Sequence, residues 1–351
     1  MAWGGGGARA GAGVRVLRAR HMSRRRLVCA LAGLWLLDGI LQLQPGMFST
    51  ALILRVMQPA VVGNPAWVNA GLQATMHILT RYIVIGNVAV ALMQLATGTS
   101  LFVWGSRQRW PYWLSLMWAI LLWPFGQAYG GVFSTTGSLW TGAPGSAVGY
   151  ALLTWAAWPS PTRLEDPASD EGRRNAIRLA VGGVWALGAV LQTSVANFTG
   201  SGLSGLVTGV VSGQPAWLAT LLTAAAHVLA NRPVLYNSLA IGVCATCAVS
   251  IFTPPLRRFG LGLSVAAAVV AWVFGQGFGM LFTGMATDPN TAPLLVLLAI
   301  YGWPGASVAG NKRSLAPPMR GRLRKVGAVY PPSQRLSGTT PLERERGSGT
   351  M

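Results

Sequence analysis

Trp35-Leu36-Leu37-Asp38-Gly39-Ile40-Leu41-Gln42 and Trp185-Ala186-Leu187-Gly188-Ala189-Val190-Leu191-Gln192 are one segment written twice, 150 residues apart. The same offset lays Trp67 on Trp217, His77 on His227 and Asn87 on Asn237. Further along, the register slips by one. Trp123 then meets Trp272, Gly126-Gln127 meets Gly275-Gln276, Gly130 meets Gly279 and Pro144 meets Pro293. After a second short deletion Trp158-Pro159 meets Trp303-Pro304. The matches fall on rare residue types, so the chain is a tandem duplication, and an internal repeat decides architecture before any local pattern does. A polar residue kept in both copies was retained twice.

Hydrophobic residues make up 52% of the chain and charged residues 10%, well under the roughly 25% charged of globular proteins. Fifteen Trp and 45 Gly suit a multi-span membrane protein, where Gly allows close helix approach and Trp seats at the interface. Apolar stretches recur at 27–44, 82–104, 111–130, 139–159, 178–195, 233–253, 259–281 and 291–306, each near the ~17–25 residues of a spanning helix. The expectation is an all-α integral membrane protein of eight spans. Repeat 1 covers 27–159 and repeat 2 covers 178–306. They are flanked by a basic N-terminal segment 1–26, a linker 160–177 and a basic tail 307–351.

The net charge of +19 does not point to nucleic acid, because the basic residues border the apolar stretches. Of 27 Lys and Arg, 24 fall before span one, between spans two and three, between the repeats from Arg163 to Arg178, between spans six and seven, or in the tail. Arg55, Arg81 and Arg232 fall on the other side. Positive charge stays cytoplasmic, so both termini lie inside a bacterial-type plasma membrane. Four spans per copy make the repeats parallel. The basic tail then lies against anionic lipid.

Ser23-Arg24-Arg25-Arg26-Leu27 resembles a twin-arginine export signal. However, span one has an internal counterpart in span five, which argues against cleavage. Met22 is a second possible start, distinguishable by N-terminal sequencing. After span one the chain stays outside from Gln44-Pro45-Gly46 to about residue 81. Segment 50–62 reads as interfacial or re-entrant. Gly63-Asn64-Pro65-Ala66-Trp67 reads as a helix start, with Asn64 as N-cap. A helix over about 65–79 then carries His77 near its end.

Counting from the span ends places Gln42, His77, Asn87 and Gln127 at one height toward the outer leaflet, and Gln192, His227, Asn237 and Gln276 repeat the layer. Two readings stand. One is an outward-facing polar pocket. The other is hydrogen-bonded helix glue, worth ~0.6 kcal/mol per contact on average in membranes. His77 and His227 are placed by a two-fold relation to ligate a haem or metal between them. No Cys-x-x-Cys-His, His-x-x-x-His or acidic partner accompanies them, and a bond to a loop carbonyl serves equally.

Asp38 is the lone carboxylate in the apolar spans, and its counterpart is Gly188. An intramembrane carboxylate is costly and therefore a functional candidate, for proton relay, cation coordination or a bond to another helix. It shares a helix face with Gln42. Arg81 lies too near the outer edge to pair with it. Cys244 and Cys247 have dithiol spacing, but they fall mid-span opposite Gln94 and Thr97 and read as small-residue packing.

Leu37-Asp38-Gly39-Ile40-Leu41-Gln42 and Gln94-Leu95-Ala96-Thr97-Gly98 give each repeat a resemblance to the DoxX-like family of four-span membrane proteins. Gln42 stands where that family has a lysine and Gln94 where it has a glutamate. The resemblance implies the four-span unit; with both ionisable positions lost, it does not carry over the family's quinone-linked redox role.

Three function classes follow. The first is a non-catalytic membrane subunit or binding module whose outer layer receives a lipid-like or quinone-like molecule or a partner protein. The second is a small-solute or proton-coupled transporter using Asp38. The third is a redox subunit using the paired histidines. No paired acid and base support an enzyme, and no cofactor is expected beyond the haem or quinone these readings name.

Overall fold

The computed structural model describes residues 22–159 and 167–305. The expectations for the segment before Met22, for 160–166 of the linker and for the basic tail lie outside the described residues, and the rest of the expected linker, 167–177, is the first part of a helix. Among the described residues all regular structure is helical. The first half holds α1 (Arg24–Leu41), α2 (Ala66–Trp104), α3 (Trp110–Gln127) and α4 (Ser146–Ala157). The second holds α5 (Pro167–Gln192), α6 (Gly200–Thr208), α7 (Ala216–Asn231), α8 (Pro233–Phe252), α9 (Arg257–Phe274) and α10 (Thr291–Tyr301).

Four helices are long and apolar enough to cross a membrane: Ala66–Trp104, Asp170–Gln192, Pro233–Phe252 and Pro254–Phe274. The stretches 139–159 and 291–306 are helical only over Ser146–Ala157 and Thr291–Tyr301. At 1.5 Å per residue these are about 18 and 16 Å long, roughly half of a ~30 Å hydrocarbon core. In 139–159 the remainder is chiefly the loop before α4, where Gly142, Pro144 and Gly145 interrupt helical backbone, whereas α10 begins at the expected Thr291 and ends at Tyr301, ahead of Gly302 and Pro304.

The segments that follow α1 and α5 each fold as a helical hairpin with its own small core. Met57, Val68, Leu72 and Ala128 form one, while Val207, Leu218, Leu222 and Ala226 form the other. Segment 50–62 is a π-type turn over Leu52–Met57 followed by a 3-10 turn over Gln58–Val61; its counterpart is the regular α6. The helix expected over 65–79 does not stop there. It continues through α2 with a bend at Tyr82 (φ −130°, ψ 40°). The matching residue Arg232 (φ −141°, ψ 63°) divides α7 from α8, since the following Pro233 disfavours helical backbone before it. Asn64 is not the cap: Pro65 occupies that position, and the Asn64 amide donates to Ala60 O at 2.8 Å.

The main core joins both halves. Trp35, Tyr150, Leu153, Trp185, Leu294 and Leu298 are buried in one cluster. α4 and α10 meet where Leu294 packs against Gly149, close enough that a Cβ on Gly149 would sit 2.8 Å from it. At the arginine-bearing end, Arg24 Nε donates to the last carbonyl of α4, Ala157 O, at 2.8 Å. Arg174, its counterpart, donates to Tyr301 O at the end of α10 at 2.6 Å. Cations at helix C-termini satisfy free carbonyls and oppose the helix dipole.

Candidate functional site

The doubled polar residues divide into three separate tasks. Asn87 Nδ2 donates to Gln42 O at 2.7 Å, tying α1 to α2. Asn237 Nδ2 likewise donates to Gln192 O at 2.9 Å, tying α5 to α8, and Asn237 Oδ1 accepts from Gln192 Nε2 at 3.0 Å. Gln127 and Gln276 serve the short helices. Gln127 Oε1 accepts from Ala147 N at 3.2 Å, and Gln276 Oε1 accepts from Ala292 N at 3.1 Å. Each satisfies an N–H that a helix start leaves free. His77 and His227 are exposed on α2 and α7. Among the described residues no three His, Cys, Asp or Glu side chains converge.

These bonds correct the register of the repeat. Trp123 Nε1 donates to Pro144 O at 2.8 Å, and Trp272 Nε1 donates to Pro289 O at 2.9 Å. Pro144 therefore corresponds to Pro289 rather than Pro293, and the second deletion lies earlier, inside the loop. The loops share a further feature. Ala128, Tyr129, Gly130 and Gly131 all have positive φ, as do Gly277, Phe278, Gly279 and Met280. Four consecutive left-handed residues are costly when they carry side chains, ~1–2 kcal/mol each. The turn brings the chain so close that a Cβ on Gly130 would lie 2.1 Å from Pro144 O. It seats the prolines under the tryptophans and so fixes where α4 and α10 begin.

Below these turns the two halves diverge. Trp35, Asp38 and Gln42 lie at i, i+3 and i+7 on one face of α1. The Trp35 indole donates to Ser115 Oγ at 2.8 Å and stacks on Tyr150 with 4.1 Å between ring centroids. This contact positions the Tyr150 hydroxyl beside the Asp38 carboxylate. Asp38 is 1% exposed and Tyr150 2%. Neither Asp38 Oδ1 nor Tyr150 Oη has a partner at hydrogen-bonding distance, and Gln42 Oε1 and Asn87 Oδ1 are also buried without one.

Asp288, on the loop before α10, completes the group and interacts electrostatically with Asp38. It is half-buried, and its oxygens are engaged: Asn290 N donates to Oδ1 at 2.8 Å and Thr287 Oγ1 to Oδ2 at 3.0 Å. Desolvation pushes its carboxyl above the ordinary carboxylate range, while those bonds and the Ser146 hydroxyl pull it back down. Among the described residues the ion pairs are Arg174–Asp170 and Arg178–Glu171, so neither Asp38 nor Asp288 has a basic partner.

At the equivalent place around α5 this group is absent. Asp38 is replaced by Gly188, Tyr150 by Leu295 and Asp288 by Ala143. Leu139 fills the position instead, with a side-chain atom 2.6 Å from where a Gly188 Cβ would lie. Asp38 and Gln42 were legible from the sequence; Tyr150 and Asp288 were not. Asp288 fell between the apolar stretches 259–281 and 291–306, and its one signal was that it is a lone carboxylate there.

No protein-family model, curated protein or solved structure is matched by the chain. The DoxX-like resemblance rests on its own residues. Of these, Gln94 is buried in α2 with Oε1 lacking a partner.

Two aromatic surfaces lie apart from the acidic group. Trp67 is 60% exposed and packs edge-on against Phe133 at 4.9 Å; Trp217 is 59% exposed and packs edge-on against Phe282 at 6.2 Å. At the arginine-bearing end an open groove of about 310 Å³ is lined by Trp113, Leu116, Trp155, Trp158 and Arg173. Cys244 and Cys247 are buried free thiols inside α8, and Cys29 is exposed on α1.

Proposed function

We propose that the chain is an integral protein of a bacterial-type plasma membrane, built as two parallel four-segment repeats with both termini cytoplasmic. It works as a non-catalytic binding module whose outer face receives a lipid-like or quinone-like molecule. The observation that carries this reading is the doubled exposed tryptophan, Trp67 and Trp217, each standing on a separately cored hairpin beside phenylalanine. Large aromatic rings with a polar N–H favour the boundary between water and hydrocarbon. A surface retained in both copies, and unnecessary to the main core, suits an amphiphile better than a small polar solute.

Eight segments fit the charge placement. Helices α1 and α3, 18 residues each, reach about 27 Å, and the half-length α4 and α10 are completed by their loops. Irregular backbone is tolerated at membrane depth where protein buries it. The tryptophan-lined groove with Arg173 at the arginine-bearing end suits an anionic lipid headgroup on the cytoplasmic side. The exposed histidines lend no support to a haem-binding subunit.

The test is native mass spectrometry of the purified protein and of a Trp67→Ser, Trp217→Ser variant. A quinone or a specific lipid retained by the wild type and depleted at least several-fold in the variant is the expected result. Equal retention by both would sink the amphiphile reading. A protein crosslinked at these positions in cells would replace it with the partner-protein reading.

A further inference from the structure

We propose that Asp38, Tyr150 and Gln42, with Asp288 at their edge, form a binding site for a single monovalent alkali cation of about sodium size. The site is independent of the amphiphile surface on the hairpins.

Charge balance comes first. Asp288 is already accommodated, because Asn290 N and the Thr287 hydroxyl donate to its oxygens and it stands at the start of α10, where a helix favours negative charge. Asp38 has only the Tyr150 hydroxyl beside it. It is buried mid-bundle, carries no ion pair and faces a second carboxylate. A charge taken out of water needs a partner or must be neutralised. One positive charge is what Asp38 lacks, and that argues for a monovalent rather than a divalent ion.

Donor chemistry comes second. The buried atoms without partners here are oxygens: Asp38 Oδ1, Tyr150 Oη, and Gln42 Oε1 one turn further along the same helix face, with Asn87 Oδ1 beside the Gln42 backbone. A proton on Asp38 can serve one of these acceptors. A hard cation serves several at once, and oxygen-only donor sets select such ions over transition metals.

The third argument is the internal comparison. In the second half the equivalent glutamine is closed onto its asparagine, Gln192 Nε2 to Asn237 Oδ1 at 3.0 Å, and the remaining positions are Gly188, Leu295 and Ala143. At this place in the second half, where the carboxylate is missing, the glutamine side chain is engaged by its asparagine; beside Asp38 the Gln42 Oε1 has no partner. Groups facing Asp38 from the packed elements are Tyr150 of α4 and Asp288 of the loop before α10, so titration of these three sets the pH range over which an ion competes with a proton.

The experiment is thermal unfolding of the full chain in detergent, followed by tryptophan fluorescence. Sodium, potassium, calcium and choline chlorides are compared at fixed ionic strength and pH 7.5. The expected result is a saturable rise in midpoint with sodium over choline. It should be lost in Asp38→Asn, with at least a tenfold weaker apparent affinity, and reduced several-fold in Tyr150→Phe. Ala143→Asp, at the equivalent place beside α5, should leave the response intact. Four results would overturn the proposal: no cation response in the wild type; a response retained in Asp38→Asn; a calcium response exceeding that of sodium; or a midpoint that follows pH but not cation. The last would identify a shared proton. If Asp38→Asn does not fold, Tyr150→Phe decides, and an unchanged sodium affinity there counts against the site.

Discussion

The Gln–Asn pairs offer a sharp test, because the two copies bond differently through the same residues. Asn237 makes two bonds with Gln192, one to its backbone carbonyl and one from its side-chain amide. Asn87 makes one bond with Gln42, to the backbone carbonyl alone. Truncating Gln192 to Ala deletes a bond to Asn237, whereas truncating Gln42 leaves the acceptor of Asn87 in place. A double-mutant cycle on Gln192→Ala and Asn237→Ala should give a coupling of about 0.6–1.7 kcal/mol, the range for side-chain bonds between membrane helices. The cycle on Gln42→Ala and Asn87→Ala should give a coupling within ~0.3–0.5 kcal/mol of zero, as for residues without a direct bond. The single change Asn237→Ala should also cost more than Asn87→Ala, by about the energy of one such bond. Unfolding in mixed micelles titrated with dodecyl sulfate measures all six variants. Equal couplings in the two cycles, or a larger one for Gln42 with Asn87, would refute the reasoning.

Gly130→Ala should destabilise far more than Gly131→Ala. Both pay the left-handed cost of ~1–2 kcal/mol, but only the first drives a Cβ into Pro144 O while the second meets open space; relative unfolding midpoints decide it. Ser264→Ala should cost about 1–3 kcal/mol by leaving the buried Trp185 N–H, now 2.6 Å from Ser264 Oγ, without an acceptor, and the same assay would show no change if that bond is absent. Alkylation by a membrane-permeant maleimide should modify no residue other than Cys29 in the folded protein. Cys244 and Cys247, at 0% exposure, should react only after denaturation, and mass spectrometry counts the adducts. Labelling of either in the native state would contradict their packing in α8.

The helical class and the membership of Gln42, Asn87, Gln192 and Asn237 in a doubled polar set were readable from composition and from the repeat, because each depends on residue type recurring at a fixed offset; which of them bond to which was not. Three further features were not. The length of α4 and α10 was overestimated, since hydropathy alone does not separate an apolar loop such as Ser138-Leu139-Trp140 from helix. The continuity of α2 through Tyr82 was missed because nothing local marks a helix that bends without breaking, whereas Pro233 announced the break in the other copy. The acidic group was only half visible. Asp38 stood out by its depth, but Tyr150 reaches it through a stack on Trp35 and Asp288 through a loop from the opposite half. Such contacts depend on tertiary packing, and no spacing in the chain encodes them. The register error at Pro144 had a related origin: residue identity favoured Pro293, while the indole bonds to carbonyls identified Pro289.

Leu139 seated on Gly188 has a consequence for how stability is distributed. A buried leucine contributes about 1.5–3 kcal/mol, and the corresponding place in the first half instead holds a desolvated carboxylate that contributes nothing of the kind. The frame is doubled, but its cohesion is lopsided. The seam between α1 and the loop before α10 is the weak one, and α5 with its leucine lock is the strong one. Amide exchange should therefore report the loop at Asp288 opening well before its counterpart at Ala143, with the gap narrowing in sodium. A duplication that left both halves equally tight would have no place able to loosen by itself.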